Sequence, residues 1–272
     1  VNSQPYLATL THEHQHLIQH HVDGNEERWL NEGLSQLAEH LAGFDPRYVG
    51  GANVRDFLRH PDHHLNGWTL SGYDMGRYYG AAYLWTVYLY ERFGLDFIRS
   101  LASHPYDGLA AVQHALSETG AAASVDEVFA DWILANYLDD PDVGDGRYQY
   151  QTLDLPARIR PQPLNLAAPY PRFESVNQYG ADYFRLDRPG DYDIVFDGYD
   201  QASLVSTTPH SGNWMWWSYN GINGAARLTG AFDLTGLDVA TLVFEGWWNI
   251  EDEYDWLHVL VSGDGGASWD IV

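Results

Sequence analysis

The chain has 272 residues, and its 38 acidic and 14 basic residues give a net charge of −24. All 14 basic residues are Arg, and a chain this acidic is repelled by phosphate, which excludes nucleic acid and disfavours anionic membrane surfaces as partners. No apolar run approaches the roughly 20 residues that span a bilayer. The chain has no Cys, so any metal must be held by His and carboxylate side chains.

The first half of the sequence is typical of helices. Runs without internal Pro, ended by Gly43 in one case and Gly94 in another, predict helices. A capping box opens the last of them, with Ser124 as the N-cap and Glu127 three residues later. The four predicted helices cover residues 7–20, 29–41, 78–93 and 124–137.

Beyond residue 150 the hydrophobic pattern changes. Five prolines make residues 156–171 irregular, and alternating apolar residues then predict strands separated by Gly and Asp clusters. We therefore predict an α+β multidomain protein, with a helical lobe over 1–150 and an antiparallel, jelly-roll-like β-sandwich over 151–272. The sequence stops within a strand pattern, so we expect the sandwich to be truncated. The predicted strands cover residues 193–197, 201–206, 226–234, 239–248 and 256–262.

A metal-binding pattern, H-E-x-x-H, occupies residues 12–16. On a helix, residues four apart lie about 40° apart around the axis, so His12 and His16 can bind one zinc ion. Glu13 lies about 100° from His12, close enough to take a proton from a zinc-bound water without binding the metal. The alternative is a His-rich surface helix, because His14, His20 and His21 share this segment.

A catalytic zinc usually has three protein ligands. The metzincin pattern would place the third at position 22, which is Val22, and would need Gly where Gln19 stands. His20 lies a turn too far along the helix. Glu32, in the sequence W-L-N-E-G-L, is the better candidate because it begins a second helix that can pack on the first.

The H-E-x-x-H pattern followed closely by W-L-N-E-G-L resembles the gluzincin metallopeptidases, particularly the secreted hyicolysin-like group. The resemblance implies a helical zincin catalytic lobe, with His12, His16 and Glu32 as zinc ligands and Glu13 as general base. Some gluzincins have, four residues after the ligand Glu, an Asp that orients a His. Gln36 occupies that position here, which is a departure from the pattern. An amide can still accept a hydrogen bond from an imidazole N–H, but it lends the ligand less basicity than a carboxylate does.

A Tyr-rich run over 77–84 resembles the helix that follows the zinc helices in these enzymes. In several gluzincins a Tyr there donates a hydrogen bond to the oxyanion, which implies that role for Tyr78 or Tyr79. The alternative is core packing, because Tyr79, Tyr83 and Tyr90 have helical spacing.

Residues 178–272 resemble the β-rich accessory domain of immune inhibitor A-type secreted metallopeptidases. Phrases such as W-W-S at 216–218 and L-T-G-A-F-D-L at 228–234 carry this resemblance. Glu251, Asp252 and Asp255 could bind calcium, although a solvated acidic loop explains them equally well.

The leading hypothesis is a secreted, extracellular zinc endopeptidase that acts as a monomer on protein or peptide substrates. Two alternatives are an extracellular binding or adhesion protein with a structural or vestigial zinc site, and a zinc hydrolase acting on other amides. The start of the chain shows no signal peptide, and only 11 residues precede His12. We therefore expect a segment cut from a longer precursor, which cleaves proteins poorly without an upstream substrate-binding sheet.

Overall fold

A computed structural model describes residues 3–46, 49–68, 74–164, 172–199, 203, 205–218, 225–250 and 253–272. Backbone contacts divide the chain into two compact units, Val1–Asp191 and Tyr192–Val272. The first unit extends beyond residue 150, where the sequence pattern changes. Tyr150, Leu153, Ile159 and Ala181 explain this extension, because their side chains are buried although they follow the last helix.

The described residues of the first unit form six helices. They are α1 (Gln4–Val22), α2 (Arg28–Leu41), α3 (Gly51–Arg59), α4 (Met75–Ala102), α5 (Gly108–Glu118) and α6 (Val125–Leu138). Four match the predicted helices, whereas α3 and α5 were not predicted. The capping box is confirmed, because Ser124 and Glu127 make both reciprocal hydrogen bonds.

The predicted end of the third helix at Gly94 is confirmed. Gly94 leaves the helical conformation, with φ of 83° and ψ of 179°, so α4 consists of two helical segments joined by a kink, the second of which continues to Ala102. A residue with positive φ interrupts a helix locally. It does not prevent the next residues from packing, and here Phe97 and Leu101 return to the core and are fully buried.

The long helix α4 lies at the centre of the first unit and contacts α2, α3 and α5, while α1 packs on α2. Gly33 allows the close approach of α2, because a Cβ there would lie 2.8 Å from both the Ala82 carbonyl oxygen and the Thr86 Cγ2. The Thr86 hydroxyl donates a hydrogen bond of 2.9 Å to the Gly33 carbonyl oxygen. The W-L-N-E-G-L sequence is thus anchored against the core.

A short β-pair follows the helices of the first unit along the chain. β1 (Gln162–Pro163) and β2 (Phe184–Arg185) are parallel, and the Gln162 N–H donates to the Tyr183 carbonyl oxygen. Among the described residues, no helix is both long and apolar enough to cross a membrane.

In the second unit, β3 (Leu260–Val261) pairs antiparallel with β4 (Asp270–Ile271), and the described residues form no β-sandwich. The strands predicted over 193–197, 226–234 and 239–248 are absent, and only the end of 256–262 is a strand. An alternating pattern favours an extended backbone, but a strand also needs a neighbour that completes its hydrogen bonds. Half of the segment predicted over 201–206 lies outside the described residues, and the other half is not a strand.

Candidate metal centre

Three side chains converge where α1 packs on α2. His12 and His16 lie one turn apart on α1, and their Nε2 atoms are 3.2 Å and 3.5 Å from the Oε2 atom of Glu32. All three potential ligand atoms lie within 4.8 Å of one another. His12, His16 and Glu32 could therefore hold one metal ion, and they are the residues that the sequence nominates.

The opposite nitrogen of each imidazole is held by an oxygen on α2. His12 Nδ1 lies 2.8 Å from Glu39 Oε1, and His16 Nδ1 lies 2.8 Å from Asn31 Oδ1. The Ser35 hydroxyl is 3.1 Å from the same His16 nitrogen. Both acceptors favour a proton on Nδ1, so a metal ion in the space beside Glu32 would displace any proton on Nε2 and meet the lone pair of that atom in each imidazole.

Gln36 accepts no hydrogen bond from the candidate ligands. This side chain is buried against Gly50, where a Cβ would lie 2.7 Å from its Nε2 atom, and its Oε1 atom has no hydrogen-bond partner. Glu39 orients His12 instead. Residues seven apart on a helix lie on the same face two turns apart, so Glu39 shares the face of Glu32. A second carboxylate at that spacing was the available signal in the sequence.

Hydrogen bonds among the candidate ligands and Glu39 decide the direction in which the pKa of each ligand shifts. Burial lowers the pKa of His12, but hydrogen bonds to Glu32 and Glu39 outweigh it and raise that pKa to about 9. The hydrogen bond to Glu32 also raises the pKa of His16. Burial raises the pKa of Glu32, yet its bonds to the two imidazoles bring it down to about 2. Without a metal, the protonated His12 imidazole and the hydrogen bonds from both imidazoles compensate the buried carboxylate.

The two candidate oxyanion donors occupy different surroundings. Burial raises the pKa of Tyr79, and its hydroxyl also interacts with Glu32 and with the charge of Glu13. Tyr78 instead packs against the ring of His63, with ring centroids 4.1 Å apart, and against Trp68. Of the two, Tyr79 is the one whose pKa is raised by the nearby Glu32 carboxylate as well as by burial.

Two further residues lie close to the candidate ligands. The Arg28 Nε atom lies 3.6 Å from Glu32 Oε1, and its guanidinium lies 5.7 Å from the centre of the Trp68 ring. The Trp68 ring also contacts Tyr79, with centroids 4.9 Å apart. Glu13 follows His12 on α1 and is exposed. The sequence alone did not nominate Arg28 or Trp68.

The candidate calcium residues lie in the second unit. Glu251 and Asp252 fall outside the described residues, and Asp255 is exposed. Calcium binding at these three positions stays a prediction.

Comparison with known proteins identifies only the second unit. Residues 192–271 match the family model of the immune inhibitor A-like MAM domain. This match links the chain to immune inhibitor A-type metallopeptidases, in agreement with the resemblance of residues 178–272. A search of curated proteins found no match to the chain. The match does not extend to the helical unit, so the hyicolysin-like resemblance stays a prediction.

Proposed function

We propose that this chain is a secreted zinc-dependent endopeptidase whose active site is formed by α1 and α2. The convergence of His12 Nε2, His16 Nε2 and Glu32 Oε2 supports this function most directly. The immune inhibitor A-like second unit adds a metallopeptidase context. Extracellular location and a protein or peptide substrate belong to the same proposal.

The donor set suits zinc. Two imidazoles and one carboxylate form the ligand set of many catalytic zinc sites, which keep a fourth position open. The oxygens of Glu39 and Asn31 behind the imidazoles are the usual supports of such ligands. Zinc bound there would polarise a substrate carbonyl and acidify a water molecule.

The remaining chemistry belongs to side chains near these ligands. Glu13 is exposed beside His12, and in this proposal its carboxylate accepts the proton of the attacking water and delivers it to the leaving amine. The Tyr79 hydroxyl stays protonated at neutral pH because burial raises its pKa. It can therefore donate a hydrogen bond to the oxygen on which negative charge develops.

For the second unit we retain the antiparallel β-sandwich as a proposal. Its support is the antiparallel β3–β4 pair and the alternating pattern of the neighbouring segments. A binding or adhesion role is the second candidate function, because the matched domain lies outside the unit that carries the metal ligands.

Zinc content and hydrolysis of casein, measured on the same variants, separate these candidates. We expect wild type to bind one equivalent of zinc and Glu32→Gln to lose most of that affinity. Glu13→Gln should retain zinc but lose hydrolysis by several orders of magnitude.

The control is His14→Ala, which removes an exposed His from the same helix and should change neither property. Because poor cleavage of proteins is expected of this segment, a short peptide substrate is measured alongside casein. Zinc binding without hydrolysis of either substrate in wild type would favour the binding protein. Full zinc affinity in Glu32→Gln would remove Glu32 from the ligand set.

A further inference from the structure

Four carboxylates gather where the α1–α2 loop meets the start of α5. This acidic cluster consists of Asp23, Glu26, Glu27 and Asp107. Glu26 Oε1 accepts hydrogen bonds from the Gly108 N–H at 2.8 Å and the Glu27 N–H at 2.6 Å. Glu27 packs directly against Gly108, and Asp107 accepts two hydrogen bonds from the Asn25 amide, at 2.9 Å and 3.0 Å. Asp23 and Glu26 are each only 8% exposed.

The donors to this cluster are neutral. They are backbone N–H groups, the amides of Asn25 and Gln19, and the Trp29 indole, which donates to Glu27 Oε2 at 2.6 Å. Within the described part of the chain, no Arg forms an ion pair with any of the four carboxylates. His104 is the basic group whose charge acts on Asp23, and its Nε2 atom lies 3.4 Å from Glu118. The negative charge of the cluster is therefore largely uncompensated.

Two buried oxygen atoms at this place have no hydrogen-bond partner. One is Glu26 Oε2, and the other is Oε1 of Gln19, a neutral side chain that is fully buried. The Gln19 Nε2 atom lies 3.4 Å from Asp23 Oδ2 and donates to the Ala102 carbonyl oxygen at 3.0 Å, which fixes the amide beside the cluster. Both unpartnered atoms are acceptors, and a buried acceptor requires a donor or a cation. Unlike a carboxylate, the amide oxygen does not gain a proton at ordinary pH, so it stays an acceptor.

We propose that the acidic cluster is a calcium site, with Asp23, Glu26, Asp107 and the Gln19 amide oxygen as its protein ligands. Calcium takes six to eight oxygen ligands, including carboxylates, amide oxygens and waters. Zinc is less suited to the cluster, because these four residues supply only oxygen. The ligand atoms of the three carboxylates do not all lie within 4.8 Å of one another, so calcium binding requires their side chains to draw together around the ion.

The location gives such an ion a role in the metal centre. The loop that carries Asp23 and Glu26 joins α1, with His12 and His16, to α2, with Glu32. Gln19 lies on α1 less than one turn beyond His16. Calcium would fix the end of α1 against α5 and thereby restrain the distance between the imidazoles and Glu32. Zinc affinity should therefore rise when calcium is present.

The test uses the full chain, stripped of divalent cations and reloaded with one equivalent of zinc. Calcium should raise the melting temperature by several degrees, because a ligand that binds only the folded state stabilises it. Terbium in place of calcium should emit when tryptophan is excited, since Trp29 contacts the cluster through Glu27. We expect Glu26→Gln and Asp107→Asn each to raise the cation concentration needed for half of either response at least ~10-fold.

Two control variants separate this site from other acidic groups. Asp96→Asn changes an exposed carboxylate paired with Arg99, and Asp255→Asn changes the candidate calcium residue of the second unit. Both control variants should keep the terbium emission that is excited through tryptophan. Glu26→Gln should also make the cation-free protein more stable than wild type, which shows that the variant folds.

A calcium response that survives in both Glu26→Gln and Asp107→Asn would overturn the proposal. So would a melting temperature that calcium does not change. Neither outcome depends on hydrolysis, so the calcium site and the peptidase activity fail or succeed separately.

Discussion

Glu39 Oε1 lies 2.8 Å from the Nδ1 atom of His12, two helical turns beyond Glu32, whose Oε2 atom lies 3.2 Å from the Nε2 atom of the same imidazole. One face of α2 thus supplies both a candidate metal ligand and the carboxylate that orients the neighbouring imidazole. A carboxylate behind a metal-binding His fixes its tautomer and raises its basicity.

Glu39→Gln should therefore weaken zinc binding by about 10–100-fold, the usual effect of losing such a support. Competition with a fluorescent zinc chelator measures this affinity. The matched control is Gln36→Met, which changes the residue at the position where some gluzincins have the orienting Asp. An equal loss of affinity in Gln36→Met would mean that Glu39 is not the orienting group.

Tyr79 and Tyr78 provide a paired test of oxyanion stabilisation. Tyr79→Phe removes the hydroxyl that interacts with Glu32 and should lower kcat by ~10²–10³-fold with little change in KM. Tyr78→Phe should stay close to wild type, because its ring packs against His63 and Trp68. Steady-state kinetics on a peptide substrate measures both variants, and an effect confined to Tyr78→Phe would reverse the assignment.

Gly33→Ala tests the close contact between α2 and α4. The added methyl group would lie 2.8 Å from the Ala82 carbonyl oxygen and must push the helices apart, at a cost of about 1–3 kcal/mol in the free energy of unfolding. Zinc affinity should fall as well, since Glu32 moves with α2. The control is Gly263→Ala, where no atom lies within 4 Å of the new Cβ. Urea unfolding that leaves Gly33→Ala as stable as wild type would show that the helices adjust freely.

Glu26 should make the cation-free protein less stable as the pH rises. Burial raises its pKa in the folded protein from the ordinary 4.5 to about 7. The folded state therefore keeps this proton to a higher pH than the unfolded state does. Stability is lost between about pH 4.5 and pH 7 and then levels off, with an upper limit of ~3 kcal/mol for the full shift.

Urea unfolding of wild type and Glu26→Gln at pH 5 and pH 8 measures this effect. We expect the difference in free energy of unfolding between the two proteins to change with pH, because only wild type carries the titrating carboxyl. A difference that stays constant would mean that Glu26 is already charged throughout this range. The comparison cancels the titration of His12 and other groups that both proteins share.

Much of the helical unit could be predicted from the sequence. Four helices follow from local signals, such as the capping box at Ser124 and the long aromatic run that becomes α4. The approach of His12 to His16 also follows from helical spacing, because residues one turn apart share a face. For the second unit, the alternating pattern predicted strands, but pairing depends on partners far along the chain, which a local pattern does not supply.

Only the tertiary structure decided which residues support the metal ligands. The family pattern pointed to position 36, where Gln36 replaces the Asp of some gluzincins, whereas the packing of α1 on α2 brings His12 to Glu39. The sequence likewise left Tyr78 and Tyr79 as alternatives, and the packing of α4 turns Tyr79 towards Glu32. Helical spacing determines which side chains share a face, but the contact between two helices determines which atoms meet across it.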